Sequence, residues 1–224
     1  MKRAFFSIAC LLALSTPALA ADGPSLDAVA GTTGAGAAIR VPVRNGTAVR
    51  VNLGTASFGR TATFENRVIN ADVHLALDER VMIRTSSLTV ERMSKRGLGV
   101  VGGVVLNNTS IHAISVPTDS TVTINGATYS QAGAGVIFTD VHWSKLAPYL
   151  GIRIAPPSLH GAALELGGYY QGAARVDFSA TGAIAANQSS FQPYYDDEAR
   201  QLRTALAPVK VYPVVQLSIP LLRR

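Results

Sequence analysis

The sequence predicts an all-β protein, a small antiparallel barrel of about eight strands with one short helix before the last strand. Three observations lead there. Apolar and polar residues alternate with period two through much of the chain, an export signal stands at its start, and no later apolar stretch approaches the ~20 residues of a membrane-spanning helix. With 48% of its 224 residues apolar and 15% charged, the chain is too apolar for disorder and fits a single domain.

Met1 to Ala20 has the parts of a signal peptide: Lys2 and Arg3, the apolar run Ala4 to Leu14, and the small-residue site Ala18-Leu19-Ala20. The expected boundaries are residues 1–20 for the signal and 21–224 for a single barrel domain. Cleavage would remove two of the 20 basic residues, lowering the net charge from +6 to +4. Such a mild, scattered excess on an exported chain argues against nucleic acid as a partner. The single cysteine, Cys10, lies inside the signal, so the mature chain can form no disulfide and carries no thiolate ligand or nucleophile. A lipoprotein anchored at Cys10 would leave an apolar run of only six residues before it and is set aside.

Taken in order, Asp27 to Thr33 is one of two candidates for the eighth strand, the other being Gly133 to Trp143. Gly31-x-x-Gly34-x-Gly36 opens a strand and not a helix, so its glycines suit a turn or tight packing better than phosphate binding. Ile39 to Arg44 and Val49 to Leu53 alternate around Asn45-Gly46, the strongest short hairpin signal because both turn positions favour a positive φ. Asp72 to Leu77 and Arg80 to Val90 alternate next. Leu98 to Leu106, rich in Gly and Val, reads as a strand packed on both faces or closely approached by a neighbour. Asn107 to Tyr129 reads as a long loop, with room for a hairpin extension. Leu150 to Ile154, Leu164 to Leu166, Arg175 to Phe178 and Val215 to Ile219 are further strands. Asp196-Asp197-Glu198 suits the first turn of a helix running through Ala199 to Ala207 and stopped by Pro208. Seven or eight runs reach toward the ~9 to 11 residues of a spanning strand, and bacterial barrels have even strand numbers.

Alternation alone leaves the solvent of each face open. A membrane barrel is apolar outside and polar inside; a soluble periplasmic β-sandwich or lipocalin-like binding protein is the reverse. No enzyme is expected: Gly-x-Ser-x-Gly is absent, and His74, His112, His142 and His160 have no metal-ligand spacing. No catalytic residue, metal or cofactor is assigned, and Asp196 to Glu198 are read as acids favoured by a helix dipole.

From residue 124 onward the chain resembles a known family. The matching residues are Ile124-Asn125-Gly126-Ala127-Thr128-Tyr129-Ser130-Gln131, Leu146-Ala147-Pro148-Tyr149-Leu150-Gly151-Ile152 and Glu165-Leu166-Gly167-Gly168-Tyr169-Tyr170-Gln171-Gly172. The acidic helix and Val211-Tyr212-Pro213-Val214-Val215 follow in the same order, and Gly31-Thr32-Thr33-Gly34 resembles the family's start. The family is the small bacterial outer-membrane barrels that include the carbapenem-associated ornithine-uptake porins. The resemblance, together with arginines alternating on strands, favours the transmembrane barrel. It implies location in the cell outer membrane, with outer-membrane lipid and the barrel-insertion machinery as partners, and a structural role or a narrow channel for small solutes. Two features depart from the family: the chain ends Leu221-Leu222-Arg223-Arg224 where such barrels end in an aromatic residue, and Pro220 sits in the final strand. The mature chain has 13 aromatic residues, of which Tyr149, Tyr169, Tyr170 and Tyr212 are spaced for one interfacial girdle.

With the apolar face toward lipid, the lumen-facing candidates are Arg40, Arg50, Asp72, Arg153, Glu165, Arg175 and Asp177, joined by Asn52, His74, Gln216 and Ser218. Arg153 and Glu165 flank the short Pro156 to Gly161 connection, which predicts an ion pair between them. Four arginines against Asp72, Glu165 and Asp177 make a lumen near neutral to slightly positive, unsuited to concentrating a cation. Uptake of a basic amino acid, which the resemblance implies, is therefore not carried over. An eight-stranded lumen is narrow enough for side chains to fill, so charges that neutralise one another and plug the barrel are favoured over a conduit.

Overall fold

The computed structural model describes residues 23–44, 46–68, 71–124, 126–159 and 161–223. The expected signal peptide, Asn45, Asn125 and His160 lie outside these residues, as does the side chain of Asp72. The described elements are, in chain order, β1 (Ser25–Gly31), β2 (Gly34–Arg44), β3 (Thr47–Val68), β4 (Ala71–Met93), β5 (Leu98–Asn107), β6 (Ser110–Pro117), β7 (Thr121–Ile124) and β8 (Ala127–Ser130). Then come α1 (Gln131–Ala134), β9 (Ile137–His142), β10 (Leu146–Ile154), β11 (Ala163–Tyr170), β12 (Arg175–Ala180), α2 (Gly182–Ala186), α3 (Gln188–Ala205) and β13 (Val211–Arg223).

Eight strands close a ring in the order β1-β2-β3-β4-β5-β10-β11-β13, and β13 returns to β1. Every neighbouring pair is antiparallel. Closure leaves no sheet edge, the condition for a sheet to sit in hydrocarbon with all its backbone groups paired. Of the two candidates for the eighth strand, the first supplies β1; the second supplies β9, which lies outside the ring.

The pleat sorts the side chains. Ile39, Val41, Val43, Leu53, Leu88 and Val90 stand exposed on the outer surface, and Leu98, Val100, Leu146, Leu150, Leu217 and Ile219 continue the band around the ring. Alternate residues, among them Arg50, Glu91, Arg153 and Glu165, are buried inside. Apolar outside and polar inside is the reverse of a lipocalin-like protein, so the soluble alternative does not describe this barrel.

Local chemistry explains the tight turns at the two ends of β2. Gly46 takes φ 72° in the turn between β2 and β3, and Gly34 takes φ 95° after the β1–β2 turn, conformations costly to residues with a Cβ. Prolines stand where one of the two flanking ladders has ended. Pro148 pairs with Val104 of β5 just beyond the β11 ladder, which starts at Tyr149. Pro213 pairs with Gly168 beyond the reach of β1, whose ladder ends at Gly31. Pro220 pairs with Asp27 where the β1 register shifts, past the last β11 partner at Ser218. A missing N–H is tolerated at such places. The turns from β2 to β3, from β4 to β5 and from β10 to β11 share one end of the barrel; the long excursions all leave from the other, beside the tight β1–β2 turn, an asymmetry usual in bacterial barrels.

At that second end β3 and β4 run on past the ring. Thr85 to Met93 of β4 pair with β5, whereas Leu75 to Met82 pair with β6, and β9 and β12 extend the sheet. The segment read as a loop, Asn107 to Tyr129, therefore holds β6 and the β7–β8 hairpin, because its β-branched residues find partners on β4 and β9 that the local sequence does not reveal. The helix is longer than expected. α3 begins at Gln188, includes Pro193, and buries Phe191, Tyr195 and Ala199 on one stripe. Asp196 to Glu198 thus fall mid-helix and not in its first turn, where Gln192 donates to Asp196 (3.0 Å) and Gln201 to Asp197 (2.8 Å).

The strand Leu98 to Leu106 is packed on one face only: Val101 and Val105 are buried while Leu98, Val100, Val104 and Leu106 are exposed. The close approach is real at Gly103, where a Cβ would overlap the Leu88 carbonyl oxygen. The same holds at Gly36 against the carbonyl of Leu53. Gly36→Val is expected to push β2 from β3 at a cost of about 2–3 kcal/mol, seen as loss of most of the compact, heat-modifiable species in electrophoresis of unheated sample.

Candidate functional site

The lumen is where the sequence concentrates charge. Seen along the barrel, residues near the short-turn end come from β1 (Asp27), β2 (Arg40), β3 (Arg50), β4 (Glu91), β10 (Arg153) and β11 (Glu165), all inward by the pleat. Arg40 and Arg50 are direct cross-strand partners, a like-charge juxtaposition that costs stability unless each finds an acid. Each does: Arg40 pairs with Glu91 and Arg50 with Glu165. Arg153 reaches three carboxylates, with Nη1 3.3 Å from Glu165, Nε 3.5 Å from Glu91 and Nη2 3.9 Å from Asp27. It also donates to Ser218 Oγ of β13 at 2.9 Å. Seven of the eight ring strands thus meet in one network of three guanidiniums and three carboxylates.

Tyr149 crosses above this layer and donates its hydroxyl to Glu165 Oε1 at 2.6 Å. Glycines make its space: a Cβ at Gly151 or Gly167 would lie 2.6 or 2.7 Å from that hydroxyl. The next layer holds Asn52, which donates to Ser87 at 3.1 Å, with Val105, Val214 and Tyr169, whose ring stacks on Tyr212 at 5.0 Å. A cavity of about 30 Å³ lies between Asn52, Tyr149, Glu165 and Gln216, room for about one water. At the far end Asn107 donates to Gln171 at 3.0 Å, and Gln171 donates to the Val209 carbonyl at 2.8 Å, both side-chain amides being buried.

Of the sequence-predicted residues, Arg40, Arg50, Arg153 and Glu165 come together here, with Asn52, Gln216 and Ser218 on the same inner surface. Arg153 and Glu165 are cross-strand partners, and their ion pair is formed. Arg175 and Asp177 do not join them. They sit on β12, outside the ring, with the Asp177 side chain 70% exposed and 3.6 Å from His142. Their alternation is that of a sheet in water, indistinguishable in sequence from that of a spanning strand. Asp72 falls on β4 opposite Arg67, beyond the ring. His74 also lies there, exposed, its backbone N–H donating to Asp119 at 2.9 Å and holding that carboxyl below its usual range.

Sequence reasoning missed Asp27 and Glu91. Each sits at an alternate position beside apolar residues, Leu26-Asp27-Ala28 and Val90-Glu91, and could have been placed inside by following β1 and β4 to their ends. Three of the four girdle tyrosines are also reassigned: Tyr149 and Tyr169 are buried in the lumen and Tyr212 stacks there, whereas Tyr170, 54% exposed, faces outward. Among the described residues no three His, Cys, Asp or Glu side chains are grouped to hold a metal ion.

The solved structure of CarO2 from Acinetobacter baumannii superposes on 88% of this chain and 96% of its own, with a TM-score of 0.53 and 18% identity. The fold is that of a small outer-membrane β-barrel. CarO from the same organism matches over 88% of this chain and 95% of its own, with a TM-score of 0.48 and 18% identity. No family profile and no curated protein sequence matches the chain. The likeness is one of fold, and the lumen chemistry is read from this chain's own residues.

Glu165 is the acid shared by Arg50, Arg153 and Tyr149. Glu165→Ala should therefore strand the buried Arg50 guanidinium, remove the acceptor of the Tyr149 hydroxyl and cost about 3–5 kcal/mol, measured by urea unfolding in lipid vesicles. Arg50→Met combined with Glu165→Leu should recover much of that loss, because Arg153 retains Glu91 and Asp27.

Proposed function

We propose that this chain is an integral outer-membrane protein, exported through a cleaved signal, whose barrel is a closed anchor and whose outward-projecting sheet and helix are held at the cell surface. The observation that carries the reading is the neutral network across the lumen. Three arginines and three carboxylates from six strands balance one another in charge, the tyrosine layer lies above them, and about 30 Å³ of space remains between. A conduit for small ions needs a continuous wet path lined by groups that replace the ion's hydration, and paired charges around a cavity for about one water do not supply one. Outer-membrane lipid against the apolar band and the insertion machinery during biogenesis are the partners this role requires. No catalysis, cofactor or small-molecule transport is part of it.

The outer apolar band supports insertion directly. Patches of a few hundred Å² already mark interaction surfaces on soluble proteins, and here exposed Val, Leu and Ile encircle the ring.

Fractionation followed by electrophoresis of heated and unheated samples should place the protein in the outer membrane with a heat-dependent mobility. Planar bilayers containing it should show no sustained conductance in potassium chloride or in salts of larger cations and anions. Recovery in the soluble periplasmic fraction would overturn the membrane assignment, and a steady unitary conductance would overturn the closed lumen.

A further inference from the structure

The polarity of β4 inverts where it leaves the ring. Its inner face passes from Glu91 and Thr89 to the buried apolar Ile83 and Leu75, while its outer face passes from exposed Leu88 and Val90 to exposed Arg84, Arg80 and Asp78. Beyond the barrel, then, the inward pleat is the apolar one, and α3 packs over it. The covering is incomplete. Between α3 and the sheet lies a cavity of about 280 Å³, near the lower end of the volumes typical of small-molecule pockets.

Its walls are apolar with few polar groups. Ile111, Val141, Phe178 and Leu202 form much of the lining. Two groups stand out. The Tyr195 hydroxyl is buried without a hydrogen-bond partner, although its ring stacks on Phe178 at 5.3 Å. Glu198, one turn further along α3 and half-buried, has no ion-pair partner among the described residues. The other lining charges cancel, since Arg60 Nε binds Glu79 Oε2 at 2.5 Å. A buried hydroxyl left unbonded costs stability, and a half-buried carboxylate in an apolar wall favours a cation.

We propose that this cavity between α3 and the projecting sheet is a binding site for a small amphipathic amine, with an apolar or aromatic body and one protonated nitrogen. The apolar body lies against Phe178 and Leu202, the ammonium group donates to Glu198, and the Tyr195 hydroxyl accepts a further N–H. A free amino acid fits less well: its carboxylate would enter a pocket whose single guanidinium, Arg60, is already engaged by Glu79. The site lies outside the ring and goes beyond the anchoring role, so it does not depend on whether the lumen conducts.

The test is calorimetric titration of the full-length protein in lipid nanodiscs with 2-phenylethylamine, using 2-phenylethanol, phenylalanine and ornithine as comparisons. Saturable one-site binding is expected for 2-phenylethylamine, with at least about tenfold weaker binding of the other three, the difference typical of a lost charge-assisted hydrogen bond. Glu198→Gln should weaken amine binding about tenfold and leave 2-phenylethanol unaffected. Leu202→Trp should abolish binding by filling the cavity, with heat-modifiable mobility verifying that each variant is folded. Absence of saturable amine binding, an unchanged affinity in folded Glu198→Gln, or undiminished binding in folded Leu202→Trp would each overturn the proposal.

Discussion

The structure depends on charge neutrality among side chains buried inside the ring. Arg153 and Glu165 face each other across the β10–β11 ladder, and through them Arg50, Glu91, Asp27 and Tyr149 are tied into one network. A buried charge that loses its partner costs several kcal/mol, so each of these side chains constrains the strand that carries it. The network therefore acts on register. A one-residue slip of a strand that carries one of these charges would turn that residue to the outer apolar surface and an apolar one toward the lumen. The glycines at 151 and 167 serve the same arrangement, since the Tyr149 ring that covers the network needs the space their missing side chains leave.

A second constraint operates along the strands. β3 and β4 are each more than 20 residues long, about twice what a bilayer crossing requires, and they pass from the ring into the projecting sheet without a break in pairing. The pleat cannot change period at that boundary, so the side chains change instead. On β4 the exchange occurs between Leu88 and Arg84 on the outer face and between Ser87 and Ile83 on the inner. Beyond it the sheet behaves as part of a soluble protein: one face exposed and rich in Arg, His and Asp, the other apolar and covered by α3. Tyr195 and Phe191 of that helix pack with Leu75, Ile137 and the β7–β8 hairpin, which is how a segment rich in Ser, Thr and Asn acquires a core.

Within the ring, much was legible. The β2–β3 hairpin follows from Asn45-Gly46 between two alternating runs, and the inward placement of Arg40, Arg50, Arg153 and Glu165 follows from the period-two pattern once a solvent is assigned to each face. The failures share a cause. Arg175 and Asp177 alternate as cleanly as Arg153 does, but β12 pairs with β9 in water, and alternation carries no information about which solvent a face meets. Tyr149, Tyr169 and Tyr212 have the spacing of interfacial aromatics, yet their sites face in, where adjacent glycines and Val214 admit large rings. The helix was read from its acids, whereas its length is set by Phe191, Tyr195 and Ala199 packing on a sheet that local sequence does not announce.

The sequence by itself determined the strand character of the chain, its turns, and the identity of the residues that alternate, because φ preferences and the period of the pleat are local properties. The tertiary structure alone decided which eight strands close, which carboxylate serves which arginine, and where apolar and polar faces exchange roles. Those are outcomes of non-local pairing: Arg50 meets Glu165 across 115 positions of sequence, and only closure of the ring brings them within reach.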